Sequence, residues 1–298
     1  MTAIVPSVRI ALNVIPCTIL NEQGNGIITG EILSKTNKVS EYYDNLTQLF
    51  LRFGMTRHAG AIHRAVRLPE YPLIRPDDTI HHLIVEELNK LVQCTSVADL
   101  GCGVGASLVA MSRMVGSDIH VSGITISATQ AGMIRTHAVT VASFEDLPYA
   151  DASLDAVWAI ESFAHSQRPD LFFAEVARVL RPNGICMICD DMRTTTGTSL
   201  FVDTFVHGWM VPNIDTVDAH ILRAQSHGLL VRANRDLTYG LSLYALPSSL
   251  AQRLMSFLRL IMPNTIFLRS MIGSWALQQC YAANLMSYRF VVFEKLHE

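Results

Sequence analysis

A doubly wound (Rossmann-like) parallel α/β sheet, with a helical lid before it and a helical cap after it, is predicted by three observations. Short apolar runs alternate with segments of helical period between residues 96 and 191, the rhythm of βαβ units. A turn with three glycines, Asp99-Leu100-Gly101-Cys102-Gly103-Val104-Gly105, joins the first of these runs to a helix. The chain is half hydrophobic and only 16% charged over 298 residues, enough for one large core with elaborations.

Each element follows in order. Residues 1–37 carry little pattern beyond the loop-marking Gly24, Gly26 and Gly30, and are expected to serve in assembly or as a mobile arm. Apolar and aromatic residues recur at helical spacing over 39–54, with Ser40 as a cap, and a second helix is predicted over 77–93. SVADL (96–100) reads as a strand, followed by a helix over 106–115. HVSGITIS (120–127), VTVAS (139–143) and LDAVWAI (154–160) read as the next three strands. A helix over 169–180 leads through RPNG to the strand ICMICDD (185–191). SYRFVVFEK (287–295) reads as the last strand. The intervening stretch is mainly helical in pattern and too long for a simple connection. The expected divisions are an N-terminal segment 1–37, a lid 38–94, a core 95–193, a cap 194–286 and a final strand 287–298.

Composition excludes several classes. The chain is too apolar for disorder. With 23 basic and 26 acidic residues and a net charge of −3, it offers no footprint for duplex nucleic acid. No uninterrupted run of 18 apolar residues occurs; Leu254 to Met262 is broken by Arg259 and followed by Pro263. Val8 to Leu20 lacks a basic leader and a cleavage site, so no signal peptide is expected. The six cysteines are scattered. Cys186 and Cys189 lie three apart on a predicted strand and would face opposite ways. A reducing, cytoplasmic setting is the expectation, and the apolar flanks would suit a homo-oligomer.

The glycine turn carries the strongest chemical signal. Its GxGxG spacing differs from the GxGxxG of dinucleotide sites. An acid before the first glycine disfavours a pyrophosphate there and suits ammonium or ribose groups. VADLGCGVG, ITISATQ, LPYADASLDAVWAIES and RVLRPNG, in that order, resemble the class I S-adenosylmethionine-dependent methyltransferases. The second strand ends in Thr125 where most of that family has an acid. This variant resembles the subgroup of cyclopropane fatty-acid synthases, tocopherol methyltransferases and terpenoid (prenyl diphosphate) C-methyltransferases, where a Thr and a Gln five positions on share ribose binding. The resemblance implies S-adenosyl-L-methionine as cofactor, held by Asp99, Gly101, Cys102 and Gly103, by Thr125, Ile126 and Gln130, and by the segment Ser143, Phe144 and Glu145. Ser143 replaces the Asp that usually meets the adenine amine, so Glu145 or the Phe144 backbone is expected to supply that contact.

Methyl transfer requires an acceptor held in line, with water excluded. Glu161 stands at the carboxyl edge of the fourth strand, where ligands bind in such sheets. If the chain turns helical there, His165 shares its face. The expected roles are Glu161 as base or partner of a cation, and His165 as proton acceptor or orienting group. Tyr42, Tyr43 and His63 loosely match the lid of the same subgroup, and Trp209 is assigned to the substrate pocket. Arg52, Arg57 and Arg64 fall in the most basic stretch, 52–75. Together with Asp190 and Asp191 they suggest a diphosphate head group, and with it a magnesium ion; no residue is assigned as a metal ligand.

The leading expectation is C-methylation of an isoprenoid alkene, a geranyl or farnesyl type diphosphate, through a carbocation that is deprotonated or cyclises. One alternative is a C-, N- or O-methyltransferase of a prenylated aromatic or alkaloid. Another, from a different class, is a cofactor-binding assembly or regulatory module.

Overall fold

The computed structural model describes residues 63–296 apart from 198, 213, 245–246, 248, 251–252, 255–256 and 258–265. The lid helix over 39–54 and the readings of Tyr42, Tyr43, Arg52 and Arg57 lie outside the described residues, as does the arm 1–37.

The described chain runs α1 (Thr79–Leu88), β1 (Ser96–Leu100), α2 (Ala106–Met114), β2 (His120–Thr125), α3 (Ala128–Met133), β3 (Ala138–Val141), β4 (Leu154–Ile160), α4 (Pro169–Val179), β5 (Leu180–Arg193), α5 (Leu200–Trp209), α6 (Val217–Ser226), β6 (Leu229–Asp236), α7 (Ile266–Ala282) and β7 (Met286–Lys295). A short 3₁₀ turn, Phe163–His165, follows β4. The seven strands pair in the order β3-β2-β1-β4-β5-β7-β6. β1 to β5 run parallel, and β7 is antiparallel to both β5 and β6. The predicted parallel core is therefore present, extended by an antiparallel edge.

Period-two burial builds the two layers. On β1, β4 and β5, Val97, Ala156, Trp158, Ile185, Met187 and Cys189 pack on one face with residues of α1, α2, α5 and α7. Ala98, Leu100, Val157, Ala159, Cys186 and Ile188 pack on the other face with α4 and α6. Cys186 and Cys189 thus face opposite layers, and all five described cysteines are free thiols. Strands buried on both faces read as the continuous apolar runs seen in the sequence.

Two departures from the predicted elements have physical causes. The stretch 194–286 also supplies β6, an edge strand whose exposed Arg232 and Asp236 hid its pattern. β5 continues past Asp190 and Asp191 to Arg193, so the acid pair is inside a strand rather than at its end, held there by pairing with Arg289 and Tyr288 of β7.

α5 and α7 pack together at a glycine contact. A Cβ on Gly208 would lie 2.7 Å from the Gly273 Cα and 2.6 Å from the Arg269 carbonyl oxygen. Among the described residues, no helix is long and apolar enough to cross a membrane.

Candidate active site

The strand order reverses at β1, between β2 and β4, and the crevice at such a switch point is where ligands bind in open α/β sheets. The glycine turn leaves β1 at that point. Gly101 has φ +100°, and a Cβ there would lie 2.5 Å from the Ser162 Cβ. Ser162 in turn donates to the Leu100 carbonyl at 2.6 Å, so Gly101 is required by the protein's own packing. Gly103 differs: its φ is +54°, and no protein atom lies within 4 Å of a Cβ built on it. Open space beside a left-handed backbone is the geometry that lets a ligand approach closely.

Beneath the turn, Asp99 is 2% exposed. Its Oδ2, the Ser107 hydroxyl and the Trp158 indole nitrogen are buried without a closed hydrogen bond. Burial pushes the Asp99 carboxyl up to about 7, with the nearby Ser107 and Trp158 donors holding it back. Cys102 turns its thiol inward against Gly123, and its N–H donates to the Ile124 carbonyl at 2.8 Å.

The end of β2 brings the expected pair together. The buried Thr125 hydroxyl donates to Gln130 Oε1 at 2.9 Å. Ser127 caps α3, accepting from the Gln130 N–H at 3.0 Å, which fixes Gln130 in the first turn of the helix. Ile126 lies between them, partly buried.

Two side chains of the segment expected to meet adenine make bonds within the protein. Glu145 Oε1 accepts from the Ser166 hydroxyl at 2.8 Å and from the N–H groups of Gln167 at 2.6 Å and Arg168 at 2.8 Å. Its carboxylate fastens the loop after β4, and a carboxylate oxygen with three donors is committed. Ser143 Oγ accepts from the Glu145 N–H at 3.1 Å and closes a turn. The Phe144 ring lies edge-on to Phe172 at 5.4 Å.

Glu161 follows β4 with φ +49°, a left-handed conformation that a non-glycine residue rarely adopts and that marks functional sites. Its Oε1 accepts three bonds: from the Arg64 N–H at 2.8 Å, from Arg64 Nε at 3.0 Å and from the Tyr288 hydroxyl at 2.7 Å. Arg64 also makes a two-pronged grip on Asp191, with Nη1 to Oδ1 at 2.8 Å and Nη2 to Oδ2 at 2.7 Å. Tyr281 donates its hydroxyl to Asp191 and contacts Arg64 Nη1. The guanidinium lies over the Tyr288 ring at 4.5 Å. Burial would raise the Glu161 carboxyl, but the Arg64 charge and N–H outweigh it and hold the carboxyl below its ordinary range.

Arg64 reaches this position because its segment is anchored on both sides. The Val66 N–H donates to the Pro76 carbonyl at 2.9 Å, and the Arg67 N–H to the Gly240 carbonyl at 2.8 Å. Arg64, expected from the sequence to meet a diphosphate, has its guanidinium shared between two carboxylates.

The expected Glu161–His165 pair does not form on one helical face. Only Phe163–His165 turns, as 3₁₀, and Glu161 precedes it. Burial pushes the His165 imidazole down to about 4, and the Met210 backbone counters only in part. The histidine that bears electrostatically on Glu161 is His63. The His63 ring meets His81 of α1 edge-on at 4.8 Å, and His63 Nε2 and both His81 nitrogens are buried without a hydrogen-bond partner. Burial drives His81 down to about 3.

Asp190 is turned away from a metal role. Its Oδ2 accepts from the Ala164 N–H at 2.9 Å and its Oδ1 from the Asp191 N–H at 2.8 Å. Among the described residues, no group of three or more His, Cys, Asp or Glu side chains could hold a metal ion. Trp209 donates its indole N–H to Ser274 of α7 at 3.1 Å, an interhelix contact. Sequence reasoning missed Tyr281, Tyr288 and His81. Tyr288 left a signal, since a tyrosine on the apolar face of a buried strand must find a partner for its hydroxyl.

The sheet order and the glycine turn define the class: this is the class I methyltransferase fold. Residues 98–188 match the family described as "Methyltransferase domain". "Sterol methyltransferase-like 1" of Botryococcus braunii is 29% identical over 173 residues, covering 54% of this chain and 43% of that protein. "Methyltransferase GfsG" of Streptomyces halstedii is 32% identical over 168 residues, 52% of this chain and 58% of that protein. The chain thus matches about half the length of these relatives. A solved geranyl diphosphate methyltransferase, in complex with GPP and sinefungin, superposes with a TM-score of 0.67 at 17% identity, covering 88% of this chain and 100% of that one. At that identity the likeness shows the fold.

Proposed function

We propose that the chain is an S-adenosylmethionine-dependent methyltransferase whose acceptor is an isoprenoid alkene. The cofactor's place is supported by the open space at Gly103, the orphaned Asp99 carboxylate oxygen and the Thr125–Gln130 pair. These residues suit a ligand that brings an ammonium group and ribose hydroxyls. When bound, S-adenosylmethionine supplies an electrophilic methyl group.

The observation that carries the acceptor class is the state of Glu161. Its carboxylate is held ionised, with Oε1 saturated by three donors while no hydrogen bond among the described residues reaches Oε2. A carboxylate with a depressed pKa is a poor base near neutral pH, and a good fixed anion. Glu161 therefore serves positive charge developing on the acceptor carbon as an alkene is methylated, as in the carbocation reading. With the His165 pKa lowered to about 4 by burial it is a weak base, and His63, which interacts electrostatically with Glu161, is the candidate for the proton released later.

Arg64 is already paired with two carboxylates, which favours a second reading, a neutral prenylated aromatic or alkaloid acceptor. The deciding experiment is mass spectrometry of products from purified protein, S-adenosylmethionine and a panel of prenyl diphosphates and neutral prenylated aromatics. Methylated hydrocarbon carbon in any of them supports the proposal. Methylation only at oxygen or nitrogen, or none, overturns it.

A further inference from the structure

We propose that Asp191 is the positioning residue that keeps the Glu161 site negatively charged, acting through Arg64. This rests on the methyl-transfer reading and deepens it, because it concerns the charge of the ligand that the site prefers.

The geometry divides Arg64 unequally. The two terminal nitrogens go to Asp191 as parallel bonds of 2.8 and 2.7 Å, and only the Nε edge reaches the Glu161 carboxylate, at 3.0 Å. A two-pronged guanidinium–carboxylate pair is the stronger and more directional arrangement. Asp191 is 5% exposed, and the Tyr281 hydroxyl donates to the same Oδ1 that Arg64 Nη1 grips. Two carboxylates against one guanidinium leave one net negative charge in a buried setting.

Without Asp191, Arg64 would cancel Glu161 and the site would be neutral. With Asp191, Arg64 orients Glu161 and the surplus charge remains for a cation. Among the described residues, Arg64 is the one cation in a salt bridge with Glu161 or Asp191. Asp190 is a third carboxyl, bonded to backbone N–H groups, and can only add to the negative charge, while His63 contacts the Arg64 carbonyl. A buried net charge acts at short range with little screening by salt.

The test compares two probes that differ by one positive charge at sulfur: S-adenosylmethionine, a sulfonium, and S-adenosylhomocysteine, a neutral thioether. Calorimetric affinities are measured for the wild type and for Asp191→Asn. The expected result is a wild-type preference for the sulfonium that falls about tenfold in Asp191→Asn, with the thioether affinity unchanged. Asp191→Glu, which keeps the charge, should restore most of the preference. Should Asp191→Asn not fold, Tyr281→Phe removes only the hydroxyl that fixes Asp191, and is expected to lower the preference about threefold. A preference that survives in the folded variant overturns the role of Asp191, as does an equal loss for both probes, which a purely structural role would give. Wild-type protein that binds neither probe overturns the functional reading, and this inference with it.

Discussion

The Tyr288 hydroxyl donates at 2.7 Å to the same Glu161 oxygen that Arg64 grips through both its backbone and its side chain. One oxygen is thereby saturated and the carboxylate plane is fixed. Tyr288→Phe removes one of three donors and leaves the ion pair. Turnover is expected to fall about fivefold to tenfold, the scale of one hydrogen bond with a net worth of about 1 kcal/mol, with the cofactor KM unchanged. Steady-state kinetics check this; an equal rise in the cofactor KM would place Tyr288 elsewhere in the cycle.

Removing the charge itself should cost more. Glu161→Gln keeps the shape and the Arg64–Asp191 grip, but it abolishes the anion. Turnover is expected to drop by roughly a hundredfold or more, as for loss of a preorganised electrostatic group. Glu161 also shapes acid stability. Its folded pKa is depressed, so the stability it adds is fully present above the unfolded carboxylate range and is lost as pH falls through the folded value. Acid denaturation monitored by circular dichroism should therefore be shallower in Glu161→Gln than in the wild type.

The glycines of the turn should separate under substitution. A Cβ on Gly101 meets Ser162 at 2.5 Å, whereas one on Gly103 meets open space. Gly101→Ala is expected to lower the melting temperature strongly. Gly103→Ala should cost only the left-handed strain of about 1 kcal/mol while weakening S-adenosylhomocysteine binding tenfold or more. Melting curves and calorimetry on the two variants decide; equal destabilisation would remove Gly103 from the ligand face.

What the sequence made legible follows from how local each signal is. β1 and β4 match the predicted 96–100 and 154–160 because buried parallel strands are short apolar runs with clear ends. The Thr125–Gln130 pair was legible through the resemblance, which has a Thr and a Gln five positions apart, while the hydrogen bond between them comes from the fold. The Glu161 cluster was legible only in part. Arg64 lies 97 residues from Glu161 and 127 from Asp191, and Tyr288 lies 127 from Glu161. No local pattern says that an arginine in a basic stretch will be drawn between two carboxylates by a folded sheet. β6 was missed because an edge strand with charged residues lacks a strong apolar run.

Asp99 should govern stability at the alkaline side. Burial raises its folded pKa to about 7, above its unfolded range near 4. A carboxyl with a raised folded pKa is most favourable to folding below the unfolded value. Its contribution turns unfavourable as pH climbs from about 4 to about 7, reaching on the order of a few kcal/mol for a fully buried group. Asp99→Asn removes that titration. The ligand-free variant is expected to be more stable than the wild type at pH 8, and to gain less at pH 4. Urea melts at both pH values check the sign. A wild type equally stable at pH 4 and pH 8 relative to the variant would show that Asp99 finds a compensating partner.

The Thr125–Gln130 bond joins the end of β2 to α3 across a buried gap. Thr125→Val is nearly isosteric but leaves Gln130 Oε1 without that donor. Loss of that bond in a buried setting costs about 0.5–1.5 kcal/mol. If this pair supplies the ribose contacts, S-adenosylhomocysteine affinity should fall about tenfold in both Thr125→Val and Gln130→Leu. The double variant should lose little more than either single change, since the two side chains act as one unit. Calorimetric titration of the three variants gives the coupling directly, and fully additive losses would mean that the two side chains bind the ligand independently.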